Sequence, residues 1–208
     1  MEIIRVTYGE TTLPESAIFV SGDKNKEIPI VLSFFLIQRG NRKIIVDTGC
    51  DDLPGFVLTN FQSPVKALEE KGVTVDEITD VIITHVHHDH VACVKYFPQA
   101  QIWVQEQEYI RGKSYFKNNF YITTFQEECF IAEGVRAVKI GGHTTGSSVV
   151  EVENDGKILV LCGDECYCRY NLQNKIPTAS SKVPEKSKAF VEKYSCGPYV
   201  CLLCHDED

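Results

Sequence analysis

Five of the six histidines in this chain belong to one pattern of metal-ligating side chains. The pattern begins with a dense cluster of histidines and an aspartate and continues with more widely spaced residues. Neutral imidazole suits zinc, iron and similar divalent metals, and a carboxylate can bridge two of them. The full set is His85, His87, Asp89, His90, His143, Asp164 and His205. This set predicts a dinuclear metalloenzyme.

The spacing within the cluster predicts how the ligands divide between two metals. His85 and His87 are two residues apart, so their side chains point the same way only where the backbone is extended. Asp89 and His90 are adjacent and must diverge. A loop leaving a strand end can therefore send two side chains to one metal and two to its neighbour. We expect the first metal on His85, His87 and His143, the second on Asp89, His90 and His205, and Asp164 as the bridge.

The cluster begins where a predicted buried strand ends. Residues 80–84 form a short, near-continuous apolar run, which is typical of a strand covered on both faces. Upstream, residues 30–37 and 43–47 predict a hairpin with a Gly-Asn turn. The later strands are expected at 101–105, 135–140, 148–152, 157–161 and 199–203.

Two helices and one irregular segment complete the expected elements. The helices should begin at Pro64 and Pro184, because proline is favoured at the first helical position. Residues 109–128 are aromatic-rich and are interpreted as irregular, either a lid or substrate wall or a loop packed on the core. Strand-rich stretches with a few helices predict two sheets with helices outside, in a single domain over residues 1–208.

The composition favours some classes of partner and some cellular locations over others. The formal net charge is −8, and two divalent cations would only halve it. No basic stripe is visible, so a nucleic-acid partner is disfavoured and a small-molecule substrate is expected. No apolar run reaches the ~20 residues of a membrane span, and the N-terminal residues lack a signal-peptide pattern. We therefore expect no membrane partner and a cytoplasmic location; the oligomeric state stays open.

Nine cysteines are many for an intracellular enzyme. Cys201 and Cys204 form a C-x-x-C pair near the C-terminal histidine, and Cys166 and Cys168 form a C-x-C near Asp164. A structural zinc or a redox role is one interpretation. Reduced, buried thiols are the favoured one, because no second C-x-x-C supplies the remaining ligands.

The order of these motifs resembles the metallo-β-lactamase fold superfamily, and the resemblance covers nearly the whole chain. The matching segments are Asp47-Thr48-Gly49, His85-Val86-His87-His88-Asp89-His90, Gly142-His143-Thr144, Gly163-Asp164 and His205. The resemblance implies an α/β (α+β) fold, a four-layer αββα sandwich of two mixed β-sheets with outer helices and a metal site at the edge of the sheets. It also implies that Asp47 orients a ligand and is not itself a ligand.

Particular residues indicate which subfamily the chain resembles most. Asp164 stands where the zinc β-lactamases carry a cysteine, and His87 stands where the di-iron oxygen reductases carry a glutamate, so hydrolysis is favoured over redox chemistry. Residues 163–171 resemble the N-acyl homoserine lactone lactonases, in which a tyrosine three residues beyond the bridging aspartate assists the substrate carbonyl. Tyr167 occupies that position. The chain departs from the family at Val91-Ala92-Cys93, where small residues are usual, and it is shorter than typical lactonases.

The resemblance implies a hydrolytic mechanism. Two metal ions that share a water lower its pKa far below the bulk value, towards ~7, so hydroxide is available at neutral pH to attack a lactone or ester carbonyl. Tyr167 would stabilise the oxyanion, and Asp89 would pass the proton to the leaving alkoxide. Zinc is the leading candidate for both ions, although such mixed sites also accept iron, manganese and cobalt.

Four other functions are compatible with the pattern. The nearest is a thioesterase of the glyoxalase II type, because the same seven ligands serve that chemistry. A phosphodiesterase or RNA-processing nuclease ranks lower because of the acidic charge. A di-metal redox protein and a non-catalytic zinc-binding module are the alternatives outside hydrolysis.

Overall fold

The structure is a computed structural model, and residues 1–206 are the part of it that is described. Its contacts divide the chain into two compact units. The first comprises Met1–Thr11 and Val31–Gln126, and the second comprises Thr12–Ile30 and the chain from Glu127 onward. Two mixed β-sheets with flanking helices confirm the predicted fold class.

The first sheet has six strands, and its spatial order follows the chain. The strands are β1 (Glu2–Pro14), β2 (Glu27–Arg39), β3 (Arg42–Val46), β4 (Asp80–Ile83), β5 (Gln101–Gln105) and β6 (Tyr121–Phe125). Strands β2 and β3 are antiparallel, while β3 to β6 pair in parallel. Parallel strands end at the same sheet edge, so the residues that follow β3 and β4 lie side by side: the backbone N–H of Asp47 donates to Ile82 O at 2.8 Å.

The second sheet has five strands in the order β11-β10-β9-β8-β7. The strands are β7 (Glu128–Ala132), β8 (Val135–Lys139), β9 (Ser148–Asn154), β10 (Lys157–Leu161) and β11 (Tyr199–Leu202). Strands β7 to β10 are antiparallel neighbours, and β11 joins β10 in parallel. The turn between β9 and β10 places Asp155 and Gly156 at φ values of 49° and 77°, as a two-residue hairpin turn of the Asp-Gly kind requires.

The α-helices are short. They are α1 (Glu15–Ile18), α2 (Pro64–Glu69), α3 (His88–Val91), α4 (Glu106–Arg111), α5 (Arg169–Asn174) and α6 (Pro184–Tyr194). The predicted helix starts at Pro64 and Pro184 are confirmed. Within residues 1–206, no helix has the length and apolarity that crossing a membrane would require.

The predicted hairpin and the later strands are confirmed, but the interpretation of residues 109–128 as irregular is wrong. That segment contains the end of α4, a turn of 3₁₀ helix at Tyr115–Asn118 and strand β6. Strand β6 is paired in register with β5 from Gln101 opposite Tyr121 onward. It lies at the edge of its sheet and buries only its last residue fully, so it lacks the continuous apolar run by which a central strand is recognised. Strands β1 and β7 were missed for the same reason.

Candidate metal centre

The first group of ligand-type side chains lies where β4 ends. The chain leaves the strand at Thr84, His87 is extended with φ −75° and ψ 154°, and α3 begins at the next residue. His85 Nε2 lies 3.0 Å from His87 Nδ1, and the ring centroids of His85 and His90 are 4.1 Å apart. The structure thus brings three imidazoles of this unit together, whereas the assignment of His85 and His87 to one metal and His90 to its neighbour stays a prediction.

A buried carboxylate orients two of these rings. Asp47 Oδ1 accepts from the backbone N–H of Thr84 at 2.8 Å, and its Oδ2 accepts from the Thr84 hydroxyl and from His90 Nδ1, each at 2.8 Å. The Thr84 oxygen lies 3.1 Å from His85 Nδ1. Since each Nδ1 carries its hydrogen towards these oxygens, each Nε2 presents a lone pair. Asp47 makes the contact expected of an orienting carboxylate.

The Asp89 carboxylate lies close to the His90 ring, and a hydrogen bond fixes the Asp89 backbone. Its Oδ2 lies 3.6 Å from His90 Nε2, and its carbonyl accepts from the Tyr8 hydroxyl at 3.1 Å. Burial raises the pKa of Tyr8 well above its ordinary value, and the neighbouring Cys50 thiol and Asp89 carboxylate add to the rise. The phenol therefore stays protonated and remains a donor at neutral pH.

Glu108 on α4 fixes the residue between the first two histidines. Its buried Oε2 accepts from the Val86 N–H at 2.9 Å, and its Oε1 accepts from Arg111 at 3.1 Å. A Cβ at Gly112 would meet Val86 Cγ1 at 2.6 Å, so the close approach of α4 to the loop requires glycine there. Sequence reasoning missed this support because Glu108 is 22 residues from Val86, and its neighbourhood carries no motif.

The second group of ligand-type side chains converges on Asp164. This residue lies in the turn that follows β10 and is 4% exposed. Its Oδ2 is 3.3 Å from His143 Nε2, while its Oδ1 is 3.1 Å from His205 Nε2. Each carboxylate oxygen therefore lies close to a different histidine. A carboxylate that bridges two metals needs this arrangement.

Tyr167 belongs to the same group. Its hydroxyl donates to Asp164 Oδ2 at 2.8 Å. Its ring stacks on His205 with centroids 5.3 Å apart at 19°, and meets His143 edge-on at 6.2 Å. The structure thus gathers all the site residues predicted in this unit.

Glu165 holds the loop that carries His143, and the sequence analysis did not identify it. Its Oε1 accepts from the backbone N–H groups of Gly142 at 3.0 Å and His143 at 3.1 Å, and from the Ser147 hydroxyl. Its Oε2 accepts from Ser187 at 3.3 Å. Burial raises the pKa of Glu165, although these hydrogen bonds act in the opposite direction. A Cβ at Gly142 would lie 2.4 Å from this carboxylate, so only glycine fits there.

The pKa of His205 is perturbed by its neighbours. Burial by itself would lower its pKa, but Cys204 and Asp164 raise it more, and the net pKa lies well above the ordinary value. A metal that binds this ring must displace its proton, so uptake there is coupled to proton release.

The separations within each unit fit the coordination shell of a small divalent ion. Bonds of about 2.0–2.2 Å at tetrahedral angles place two nitrogen or oxygen ligands roughly 3.3–3.6 Å apart. The observed separations are 3.0 Å for His85–His87, 3.3 Å for His143–Asp164 and 3.1 Å for His205–Asp164. The His143–Asp164 separation already lies in that range, and the other two pairs need to open by only a few tenths of an ångström, so these donor sets suit zinc and similar metals.

A match to a known protein family agrees with metal binding by these donor groups. Residues 31–165, well over half of the chain, match the model of the metallo-beta-lactamase superfamily. This chain belongs to the metallo-β-lactamase superfamily and is a hydrolase of that class. The predictions of family and enzyme class are confirmed.

The chain is similar to one curated protein in sequence and to two solved structures in fold. The N-acyl homoserine lactonase AiiB of Agrobacterium fabrum is 24% identical over 216 residues, covering 82% of this chain and 77% of the relative. A structure of an N-acyl homoserine lactone hydrolase with N-hexanoyl-L-homoserine at its catalytic metal centre superimposes with a TM-score of 0.86, at 18% identity over 98% of this chain and 92% of that one. The dizinc lactonase AidC superimposes with a TM-score of 0.74, at 15% identity over 92% and 81%. These two structures share the fold of this chain.

Proposed function

We propose that this protein is a dinuclear metal-dependent hydrolase that opens the ring of a lactone, of the N-acyl homoserine lactone class. The observation that carries the proposal is Asp164, whose two oxygens lie 3.1 Å and 3.3 Å from two different histidines. A carboxylate divided in this way is suited to joining two ions. A mononuclear site would need only one of its oxygens.

The proposal treats residues 1–208 as a single domain. The proposed ligand set contains residues of both units. The family model spans parts of both units, which supports this assignment. Each unit supplies an incomplete donor set by itself, because a catalytic metal typically takes at least three protein ligands. The first metal would be held by His85, His87 and His143, the second by Asp89, His90 and His205, with Asp164 bridging.

The chain's own residues would guide the reaction once the metals are bound. Two metals held by these residues would make a hydroxide nucleophile available at neutral pH and would act as Lewis acids towards the substrate. Tyr167 would turn its O–H from Asp164 towards the substrate carbonyl and stabilise the developing negative charge. Asp89 would take up the proton of the nucleophile after it adds to the carbonyl and would pass it to the alkoxide that leaves when the ring opens. No serine or cysteine nucleophile is required.

Zinc is the proposed metal, and the cytoplasm is the proposed location. Imidazole with carboxylate is a donor set that zinc accepts readily, and AidC is a dizinc lactonase. In the described part of the chain, no disulfide joins any of the nine cysteines, which suits a reducing compartment. The net charge of −8 does not favour a nucleic-acid partner.

A hydrolysis panel tests the proposed function. Zinc-loaded protein is assayed on N-acyl homoserine lactones, aryl esters, glutathione thioesters and phosphodiesters. We expect the highest kcat/KM on the lactones, its loss with a chelator and its recovery with zinc. A preference for thioesters or phosphodiesters would contradict the proposed lactone substrate and would leave the proposed metal site unaffected. Loaded protein that turns over none of them would indicate a zinc-binding module.

Replacing Tyr167 with Phe should lower kcat on lactones about 100-fold, within the range measured for loss of one oxyanion donor. The aromatic ring and its stacking on His205 are retained, so two metals per chain should remain. Steady-state kinetics and elemental analysis of the same sample measure both quantities.

The matched control for Tyr167→Phe is Tyr194→Phe. Tyr194 is also buried, and its hydroxyl donates to Glu151 at 2.6 Å and makes no contact with Asp164. This control should keep both activity and metals. If Tyr167→Phe loses metal in proportion to activity, the hydroxyl only orients Asp164, and its role as a donor to the substrate is wrong.

A further inference from the structure

Cys204 stands beside His205 at the point where the chain leaves β11. Cys201 and Leu203 face the apolar cluster of this unit, which also includes Val160 and Phe190. Cys204 is not a member of that cluster, although it is only 3% exposed. Its side chain therefore needs an explanation other than packing in the core.

The thiol of Cys204 is directed at the proposed ligands. Its Sγ lies 3.9 Å from Asp164 Oδ1, the same oxygen that is 3.1 Å from His205 Nε2. One ligand atom from each of Cys204, Asp164 and His205 lies within 4.8 Å of the others. Cys201, by contrast, donates to the backbone carbonyl of Tyr194 at 3.6 Å. The two thiols of the C-x-x-C pair thus have different surroundings.

These separations suit a sulfur ligand. A metal–sulfur bond of about 2.3 Å and a metal–oxygen bond of about 2.0–2.2 Å at a tetrahedral angle place sulfur and oxygen roughly 3.5–3.7 Å apart. The observed Sγ–Oδ1 separation of 3.9 Å is close to that range. Cys204 can therefore reach an ion bound to Asp164 Oδ1 and His205 with only a small displacement.

We propose that Cys204 binds the second metal as a thiolate, in addition to His205 and Asp164. The inference rests on the proposed function, because it concerns the same metal position. Binding breaks the S–H bond, forms a metal–sulfur bond and releases the proton to solvent, with no change of oxidation state. A soft thiolate among nitrogen and oxygen donors selects zinc or cobalt over manganese and magnesium.

X-ray absorption of the zinc-loaded wild-type protein tests the sulfur ligand directly. We expect a zinc–sulfur shell at about 2.3 Å, averaging about half a sulfur per zinc over two ions. Two zincs per chain without a sulfur shell would overturn the Cys204 ligand and leave the hydrolase standing. No zinc uptake would overturn both proposals. The measurement needs no variant, so misfolding of a mutant does not affect it.

Two variants then identify the sulfur. Cys204→Ser should lose the zinc–sulfur shell, and its cobalt-loaded form should lose the near-ultraviolet charge-transfer band of a cobalt–thiolate bond. Cys201→Ser is the matched control, because it alters a buried thiol three residues away that donates to the backbone carbonyl of Tyr194 and faces the apolar cluster. It should keep both signals. A Cys204→Ser protein that retains the sulfur shell would overturn the proposal.

Discussion

Replacing Asp164 with Asn should deprive the protein of bound metal and lower hydrolysis by at least about 10³-fold. The side-chain shape is retained, but the carboxamide lacks the negative charge and second acceptor oxygen that face His143 and His205 at 3.3 Å and 3.1 Å. Without the metals, the pKa of the attacking water would rise from about 7 to its far higher value in bulk solvent, which accounts for the size of the effect. Elemental analysis and kcat/KM on the best lactone measure the two quantities.

The matched control for Asp164→Asn is Asp80→Asn. Asp80 is equally buried, but it lies at the start of β4, away from the strand end that carries His85, and accepts hydrogen bonds from Arg42 and Trp103. Asp80→Asn should lower stability and keep its metals. Equal metal loss in the two variants would mean that general destabilisation is the cause. Two metals per chain in Asp164→Asn would contradict the bridging role.

The sequence predicted the members of both ligand groups because metal chemistry restricts residue type. Few residues serve as ligands, and a cluster such as His85 to His90 is recognisable before any fold is known. The central strand β4 was equally predictable, since a strand buried at all four positions is nearly all apolar, here Val81 to Ile83 after Asp80. The ligand-type residues and the central strand were therefore accessible from local patterns, whereas the lactonase hypothesis depended on the family resemblance.

The residues that hold the proposed ligands in position could not be predicted from local patterns. Glu108 contacts Val86 across 22 residues, and Glu165 contacts Gly142 across 23. A glutamate on a short helix or turn resembles any exposed glutamate until the fold buries it. Cys204 was visible beside a ligand, but only the direction of its side chain separates it from an ordinary buried thiol. Such contacts depend on tertiary structure, which a single sequence does not reveal.

Replacing Glu165 with Ala should lower the free energy of unfolding by about 3 kcal/mol and weaken metal binding by about 10–100-fold. The buried N–H groups of Gly142 and His143 would lose their acceptor, and each such loss costs about 1–3 kcal/mol. The loop would no longer fix His143, and losing the support of a ligand typically weakens metal affinity by that factor. Urea denaturation and metal titration measure the two effects.

Glu165→Gln and Glu151→Ala separate loop positioning from general destabilisation. The glutamine retains an acceptor oxygen for the two backbone N–H groups, so it should recover most of the metal affinity. Glu151 is a buried glutamate on β9 that pairs with Arg136 at 2.6 Å and contacts no residue of the His143 loop in the described contacts. Its loss should cost stability without the fall in metal affinity, because the loop keeps its acceptor. If Glu151→Ala weakens metal binding as much as Glu165→Ala does, the affinity follows overall stability, and Glu165 has no specific part in placing His143.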